Sequence, residues 1–491
     1  MPIGVGIGPW TRVEQPTSRS ASTTAGFTGS GYADVRQVPV LASAFVIFRQ
    51  FVDDDLGCAS YLIGDENEGT AVVVDPAYAI EPYLDEAEHR QVKVTCVLET
   101  HTHADHLSGH GRLALEHGCT VHIHTAADAH FAHEPLEDGS IVELGAVCLR
   151  TIHTPGHRPE HCCFAVIDLS RGDEPWLVLT GDSLFVGDAA RPDLAVAARD
   201  GAEGLFHSLR RLTELRDGVE VYPGHVAGSL CGSGMSTKAS STIGFERRFN
   251  AALQIQNVEE FVDRSSGGSQ LRPPNMERIV ELNRGTFVGT PTPLERITSS
   301  DGATILDVRN ADEFATGHAH GAINVPVSGS SFATRAAFVL SPDELLAIHA
   351  STQDEAQRAA RALRSVALLD LAGYLLDPPQ EERLSPLDVD ELDALLAAGE
   401  VDVIDVREKD ERDSGYIAGS RHIPFRLLRA AGDTIDGDKQ IVTICESGMR
   451  ASIAASVLAT KGIDARPVLH GGVPAWEARG GHTVEFRRCG T

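Results

Sequence analysis

The sequence predicts an α/β protein of three domains, and three observations carry that expectation. Short β-branched runs alternate with helical stretches through the first half. One segment recurs later at a fixed offset. The chain has 491 residues, about three domains at roughly 100–200 residues each. Hydrophobic residues make up 42%, enough to build real cores. Lys and Arg total 42 against 70 Asp and Glu, a net charge of −28, which argues against a nucleic-acid or anionic-membrane partner. No apolar run reaches the roughly 18 residues a spanning helix needs. The first forty residues lack an apolar h-region, so no signal peptide is expected. Nine cysteines, an odd number scattered through a long chain, fit a reducing cytoplasm better than a disulfide framework.

Residues 1–40, with SRSASTTAGFTGSG, read as a flexible tail. Over 41–285 the runs TAVVVD, KVTCVLET, VHIHT, CFAVIDL, WLVLTGD and VEVYPGH predict strands of a layered domain. The repeat follows. ILDVRNADEFATGHAHGAINVP begins at Ile305 and VIDVREKDERDSGYIAGSRHIP at Val403. Asp307 and Asp405, Arg309 and Arg407, Gly317 and Gly415, Gly321 and Gly419, and Pro326 and Pro424 all pair 98 residues apart. That offset predicts two copies of one small α/β domain, over 286–377 and 378–491, linked at Asp377-Pro378-Pro379.

Histidine is concentrated: twelve of the 21 lie between His101 and His161. The strand KVTCVLET runs into His101, His103, Asp105 and His106, four potential ligands within six residues. Three later apolar runs end in one more ligand each, His157 in TPGH, Asp182 in LTGD and His225 in YPGH. Every one of these three has a glycine beside it, which lets backbone pack close. Imidazole and carboxylate donors in this pattern suit zinc, iron or manganese. His161 is a candidate for support of the ligands. Cys162 and Cys163 sit in an apolar strand and read as structural.

The HxHxDH segment and the three strand-end ligands resemble the metallo-β-lactamase superfamily over about 41–285. The resemblance implies an αββα sandwich with a metal site at one edge. In the family's dinuclear hydrolases, one metal would take His101, His103 and His157, and the second Asp105, His106 and His225, with Asp182 bridging. In its persulfide dioxygenases, one Fe(II) per chain would take His101, His157 and Asp182, leaving positions for substrate sulfur and O2. TPGHRPEHCCF, LFVGDAARPDL and YPGHVAGSLCGSGMSTKASSTIGFERRFN look like the dioxygenase branch. Arg191 then matches an arginine near the thiol-substrate site. Cys231, in a polar Gly/Ser-rich loop six residues after His225, reads as a reactive thiol.

The second repeat copy contains IVTICESGMRASIAASVLATKG. An apolar strand ends at Cys445, and the loop Cys445-Glu446-Ser447-Gly448-Met449-Arg450 leads into a helix. Loop amides and the helix N-terminus favour an anion there, and Arg450 adds a fixed charge and a bidentate donor. The loop, the Asp405–Arg407 entry strand and the Gly471–Trp476 segment resemble the rhodanese domain. That implies a cysteine persulfide on Cys445, with the loop Glu446 to Arg450 binding substrate. The first copy lacks any cysteine, with His349 near the cysteine position, and reads as a degenerate rhodanese kept for packing or assembly.

The combined expectation is a metallo-β-lactamase αββα sandwich followed by two rhodanese-like α/β domains. The resemblance implies an iron-dependent persulfide dioxygenase and sulfurtransferase. Its partners would be a low-molecular-weight persulfide of glutathione, coenzyme A or another thiol, O2, and sulfite or thiosulfate. A homo-oligomer is expected, without nucleic acid or membrane. The rival readings are a dinuclear glyoxalase II-type thioester hydrolase and a non-catalytic sulfur-relay scaffold.

Overall fold

Strands buried on both faces need apolar side chains at every position, and the first domain's central runs supply them. The computed structural model describes residues 46–193, 195–226, 236, 238–266, 271–272, 274–431, 435 and 439–485. One six-stranded sheet takes its strands in sequence order, Val46–Val52, Ala59–Asp65, Thr70–Val74, Lys93–Leu98, Thr120–His124 and Glu134–Leu136. A second six-stranded sheet runs Ser241–Thr242, Glu220–Pro223, Pro175–Gly181, Cys162–Asp168, Val147–His153 and Ile141–Leu144.

The period of two sorts each strand's residues between layers. Tyr61, Ile63, Val72, Val74, Phe164, Val166, Leu177 and Leu179 form one buried cluster that fills the space between the sheets. Leu62 and Val73 turn the other way, onto a core shared with Tyr83 and Ala87 of the helix Glu81–Arg90. Ala165 and Val178 likewise pack on Leu205 and Leu209 of the helix Ala198–Leu212. The result is the expected αββα layering.

The two repeat copies have the same topology. Each has a four-stranded parallel sheet, ordered Ile323–Asn324, Thr304–Asp307, Leu346–His349, Leu371–Leu375 in the first and Arg421–His422, Val401–Asp405, Gln440–Ile444, Ala465–Pro467 in the second. Their apolar faces are not separate. Phe314, Phe332 and Ile348 of the first copy share one cluster with Phe425, Ile453 and Leu458 of the second. Asn324 ties the seam, its backbone N–H donating to Ser456 Oγ and its Oδ1 accepting from Ser452 Oγ.

The first copy also docks on the metal domain. Asp55, in the turn before the Ala59–Asp65 strand, accepts hydrogen bonds from the backbone N–H groups of Phe332 (2.5 Å) and Ala333 (2.7 Å). It thereby caps the helix Phe332–Val339 from another domain. Among the described residues no helix is long and apolar enough to cross a membrane.

Candidate metal centre and cysteine loop

All the ligand-bearing loops leave strand ends at one edge of the sandwich. His101 follows Lys93–Leu98, His157 lies between Val147–His153 and Cys162–Asp168, Asp182 follows Pro175–Gly181, and His225 follows Glu220–Pro223. The parallel pairing of Pro175–Gly181 with Glu220–Pro223 brings two of these ends side by side, and Gly224 N–H donates to the Gly181 carbonyl (2.8 Å). Gly181 has φ +46°, and a Cβ there would stand 2.7 Å from His161 Nε2 and from Thr100 Oγ1. The glycine is therefore what lets this strand end approach the histidines.

The ligand atoms of His101, His157 and Asp182 all lie within 4.8 Å of one another, and all three residues are buried. Each is oriented by a specific partner. His101 Nδ1 contacts Thr100 Oγ1 (2.9 Å), which donates to Asp75 Oδ2 (2.8 Å). His157 Nδ1 donates to the Arg191 carbonyl (2.9 Å). Asp182 Oδ1 accepts from His225 Nδ1 (2.8 Å). These bonds leave His101 Nε2 and Asp182 Oδ2 buried with no hydrogen-bond partner among the described residues. His157 Nε2 stands 3.6 Å from that same Asp182 oxygen. Orphaned buried donor atoms that converge are costly unless a cation satisfies them, so the residues fit one metal ion.

The electrostatics agree. Burial, with neighbouring histidines, pushes the His101 imidazole well below its usual range, and burial lowers His157 as well, so both are neutral donors. Burial alone would raise the Asp182 carboxyl, but His225 and His157 hold it below the usual range as an anion.

The other four motif ligands are placed differently. His103 Nε2 is bound to Glu99 Oε2 (3.1 Å) and lies 3.2 Å from Asp75 Oδ1, although its buried Nδ1 has no partner among the described residues. Asp105 bonds His106 Nδ1 (3.1 Å) and His225 Nε2 (2.8 Å). Cys58 fills the middle of that group. Its Sγ is 3.3 Å from His225 Nε2, 3.4 Å from His106 Nδ1 and 3.5 Å from Asp105 Oδ2. Burial, reinforced by Asp105, pushes the Cys58 thiol well up.

Cys58, Asp75 and Glu99 are site residues that the motif reading did not reach. Asp75 and Glu99 do carry a local signal, as carboxylates ending otherwise apolar strands. Cys58 carries none, because it arrives through an isolated bridge to His225, 167 residues away. Arg191 is buried, and its guanidinium is held by Asp193 (2.7 Å from both Nε and Nη2) and the Leu271 carbonyl (2.6 Å). Its observed link to the metal centre is its carbonyl, which orients His157. His161 lies beside the centre, its Nδ1 2.9 Å from Thr154 Oγ1. Cys231 lies outside the described residues. The seven described cysteines are free thiols.

In the last domain Cys445 is buried at the end of Gln440–Ile444, and Gly448 N–H donates to its Sγ (3.1 Å). The helix Met449–Ala459 starts in the same loop. Arg450 makes a bidentate pair with Glu411 (2.6 Å twice) and lies 3.7 Å from Glu446. In the first copy, Asp307 pairs with His349 just as Asp405 pairs with Ile444, so Ala350 stands where Cys445 does. His349 Nδ1 instead lies 2.8 Å from Asp307 Oδ2.

A cavity of about 480 Å³ lies where the three domains meet. Leu56 and Asp105 of the metal domain line it, with Arg335 of the first repeat copy and Ser447, Met449 and Arg450 of the second.

A histidine–carboxylate centre at the edge of an αββα sandwich, followed by a strand–cysteine-loop–helix unit, defines a metallo-β-lactamase-fold protein with tandem rhodanese-like domains. Comparison with known proteins agrees. Residues 53–225 match the metallo-β-lactamase superfamily, and residues 290–376 and 388–479 each match the rhodanese-like domain. The mitochondrial persulfide dioxygenase ETHE1 of Bos taurus is 29% identical over 255 residues, 51% of this chain and 92% of its own. A probable polyketide biosynthesis zinc-dependent hydrolase, BaeB of Bacillus velezensis, is 28% identical over 212 residues, 41% of this chain and 84% of its own. The crystal structure of a metallo-β-lactamase from Staphylococcus aureus superposes with a TM-score of 0.62 at 27% identity, covering 68% of this chain and 99% of that one. The chain carries a metallo-β-lactamase domain with persulfide dioxygenase homologues, followed by two C-terminal rhodanese-like domains.

Proposed function

We propose that the chain is an iron-dependent persulfide dioxygenase coupled to sulfur transfer through Cys445. The observation that carries the first half is the convergence of His101, His157 and Asp182 on one point while Asp105, His106 and His225 are bonded to one another around Cys58. Two histidines and one carboxylate form the facial triad of non-haem Fe(II) oxygenases. When bound, the iron supplies open positions at which a persulfide sulfur and O2 meet. The overall change is RSSH + O2 + H2O to RSH + H2SO3, in which the outer sulfur is oxidised and O2 reduced.

The chain's own residues hold the donors in place and keep water away. Thr100, the Arg191 carbonyl and His225 each fix one ligand's orientation. At the second centre Cys445 accepts a sulfane sulfur as a persulfide, beside the Gly448 N–H. Sulfite then takes that sulfur, giving thiosulfate.

The test is to purify the protein anaerobically, count its metal and follow O2 uptake with glutathione or coenzyme A persulfide. About one iron per chain with persulfide-dependent O2 uptake supports the reading. Two metals with thioester hydrolysis and no O2 uptake refute it in favour of the hydrolase.

A further inference from the structure

The cavity where the three domains meet contains a cation, Arg335, that neither centre uses; the Asp55 carboxylate opposes its charge and Arg450 adds a like one. Arg335 projects from the helix Phe332–Val339 of the cysteine-free repeat copy and lines this cavity. Its Nε and Nη2 are buried and have no hydrogen-bond partner among the described residues. An arginine carries five N–H donors, and three of them sit on these two buried, unmet nitrogens. Three of the cavity's other four charged side chains are already engaged, and the fourth, Glu446, is exposed with its carboxylate 3.7 Å from Arg450. Arg450 is paired with Glu411, Glu408 with Arg426, and Asp105 with His106 and His225.

Arg335 lies close to the cysteine loop. A Cβ added at Gly329 would stand 3.0 Å from Arg335 Nη2 and 2.8 Å from Met449 Cε, so the guanidinium and that loop residue meet over one glycine. Hydroxyl groups surround the same space, from Ser330, Ser331, Thr334 and Ser447. Ser331 opens the helix with φ +60°, a left-handed conformation that is strained for a serine. Asp55 of the metal domain caps the helix in its place, which leaves the Ser331 hydroxyl out of that role.

We propose that Arg335 is an oxyanion-binding residue of the Cys445 centre, holding the SO3 group of sulfite or thiosulfate within the three-domain cavity. This rests on the sulfur-transfer reading of Cys445. A planar guanidinium with two parallel free N–H groups matches two oxygens of such an anion. It also gives the degenerate copy a second task besides packing, as a wall and a charge for its neighbour's reaction. In the step served, the sulfite sulfur lone pair attacks the outer sulfur of the Cys445 persulfide. The new S–S bond forms thiosulfate as the old one breaks, and its electron pair leaves on Cys445 as thiolate. Cys–S–S⁻ plus SO3²⁻ thus gives Cys–S⁻ plus S2O3²⁻.

The experiment uses the full-length protein. Sodium sulfite is titrated calorimetrically into wild type, Arg335→Gln and Arg335→Lys, and kcat and KM for thiosulfate are measured with cyanide as acceptor. Arg335→Gln should weaken sulfite binding and raise KM by at least about tenfold, with kcat little changed, and Arg335→Lys should recover part of the loss. Unchanged sulfite affinity and KM in Arg335→Gln overturn the proposal. Should the variants not fold, sulfite protection of Arg335 from phenylglyoxal in the wild type decides, and no protection overturns it. Cys445→Ser tests the underlying reading separately: persistent transfer sinks that reading, whereas the sulfite titration still judges Arg335.

Discussion

Replacing Gly448 with alanine should disable the cysteine loop by a displacement that can be worked out from its surroundings. Gly448 has φ +104°, and a Cβ there would stand 1.9 Å from the Leu469 carbonyl oxygen and 2.6 Å from its carbon. A contact below 3.0 Å is not tolerated, so 3.0 − 1.9 Å, about 1 Å of backbone movement, is required. Gly448 N–H donates to Cys445 Sγ at 3.1 Å, and a shift of that size takes the donor out of hydrogen-bonding range. A hydrogen bond to a charged group contributes about 1.5–3 kcal/mol. Its loss at a sulfur anion therefore lowers sulfur transfer by about 10- to 150-fold. The assay is kcat/KM for thiosulfate-to-cyanide transfer, with Cys445→Ser as the zero reference and near-UV circular dichroism as the control for folding. A folded Gly448→Ala protein within twofold of wild type would refute the assignment of this amide to the sulfur.

Further predictions concern the metal centre and the docking of the domains. His157→Ala should abolish metal binding and O2 uptake together, by metal analysis and an oxygen electrode, because it removes one of three converging donors; full metal content in that variant would exclude the triad. His225→Ala, which frees Asp182 Oδ1, should weaken metal affinity by about 10- to 100-fold in competition with a chelator, and an unchanged affinity would show that Asp182 needs no such support. Asp55→Ala should cost about 1–2 kcal/mol, since it removes a partly buried cap on two backbone donors, and faster amide exchange confined to the helix Phe332–Val339 would report it. Glu99 gives a pH dependence. Burial alone would raise its carboxyl, but bonds from His103 and His110 hold it down at about 2. Its contribution is therefore complete above the unfolded value of about 4.5 and is lost as pH falls through the folded one. The stability deficit of Glu99→Gln should shrink between pH 6 and pH 3 in urea titrations, and a constant deficit would contradict the shift.

Much of this molecule is legible locally. The strand runs TAVVV, CCFAVID and PWLVLTG are apolar at nearly every position because both faces are buried, and that alone marks a layered α/β domain. The ligands His101, His157 and Asp182 are readable because each follows a strand end in a loop at one edge of the sandwich. The 98-residue repeat fixes two matching sheets, and the loop Cys445 to Arg450 declares itself by its place between strand and helix.

What tertiary structure alone decides is which groups meet across distance. Cys58 reaches His225 over 167 residues, and Arg450 finds Glu411 39 residues away. Asp55 caps a helix 277 residues later, and Arg335 joins a cavity with walls from three domains. Hydrogen bonds and ion pairs depend on position within a few tenths of an ångström. Sequence periodicity reports only which face of a strand or helix a residue occupies, so such pairings appear only once the domains have packed.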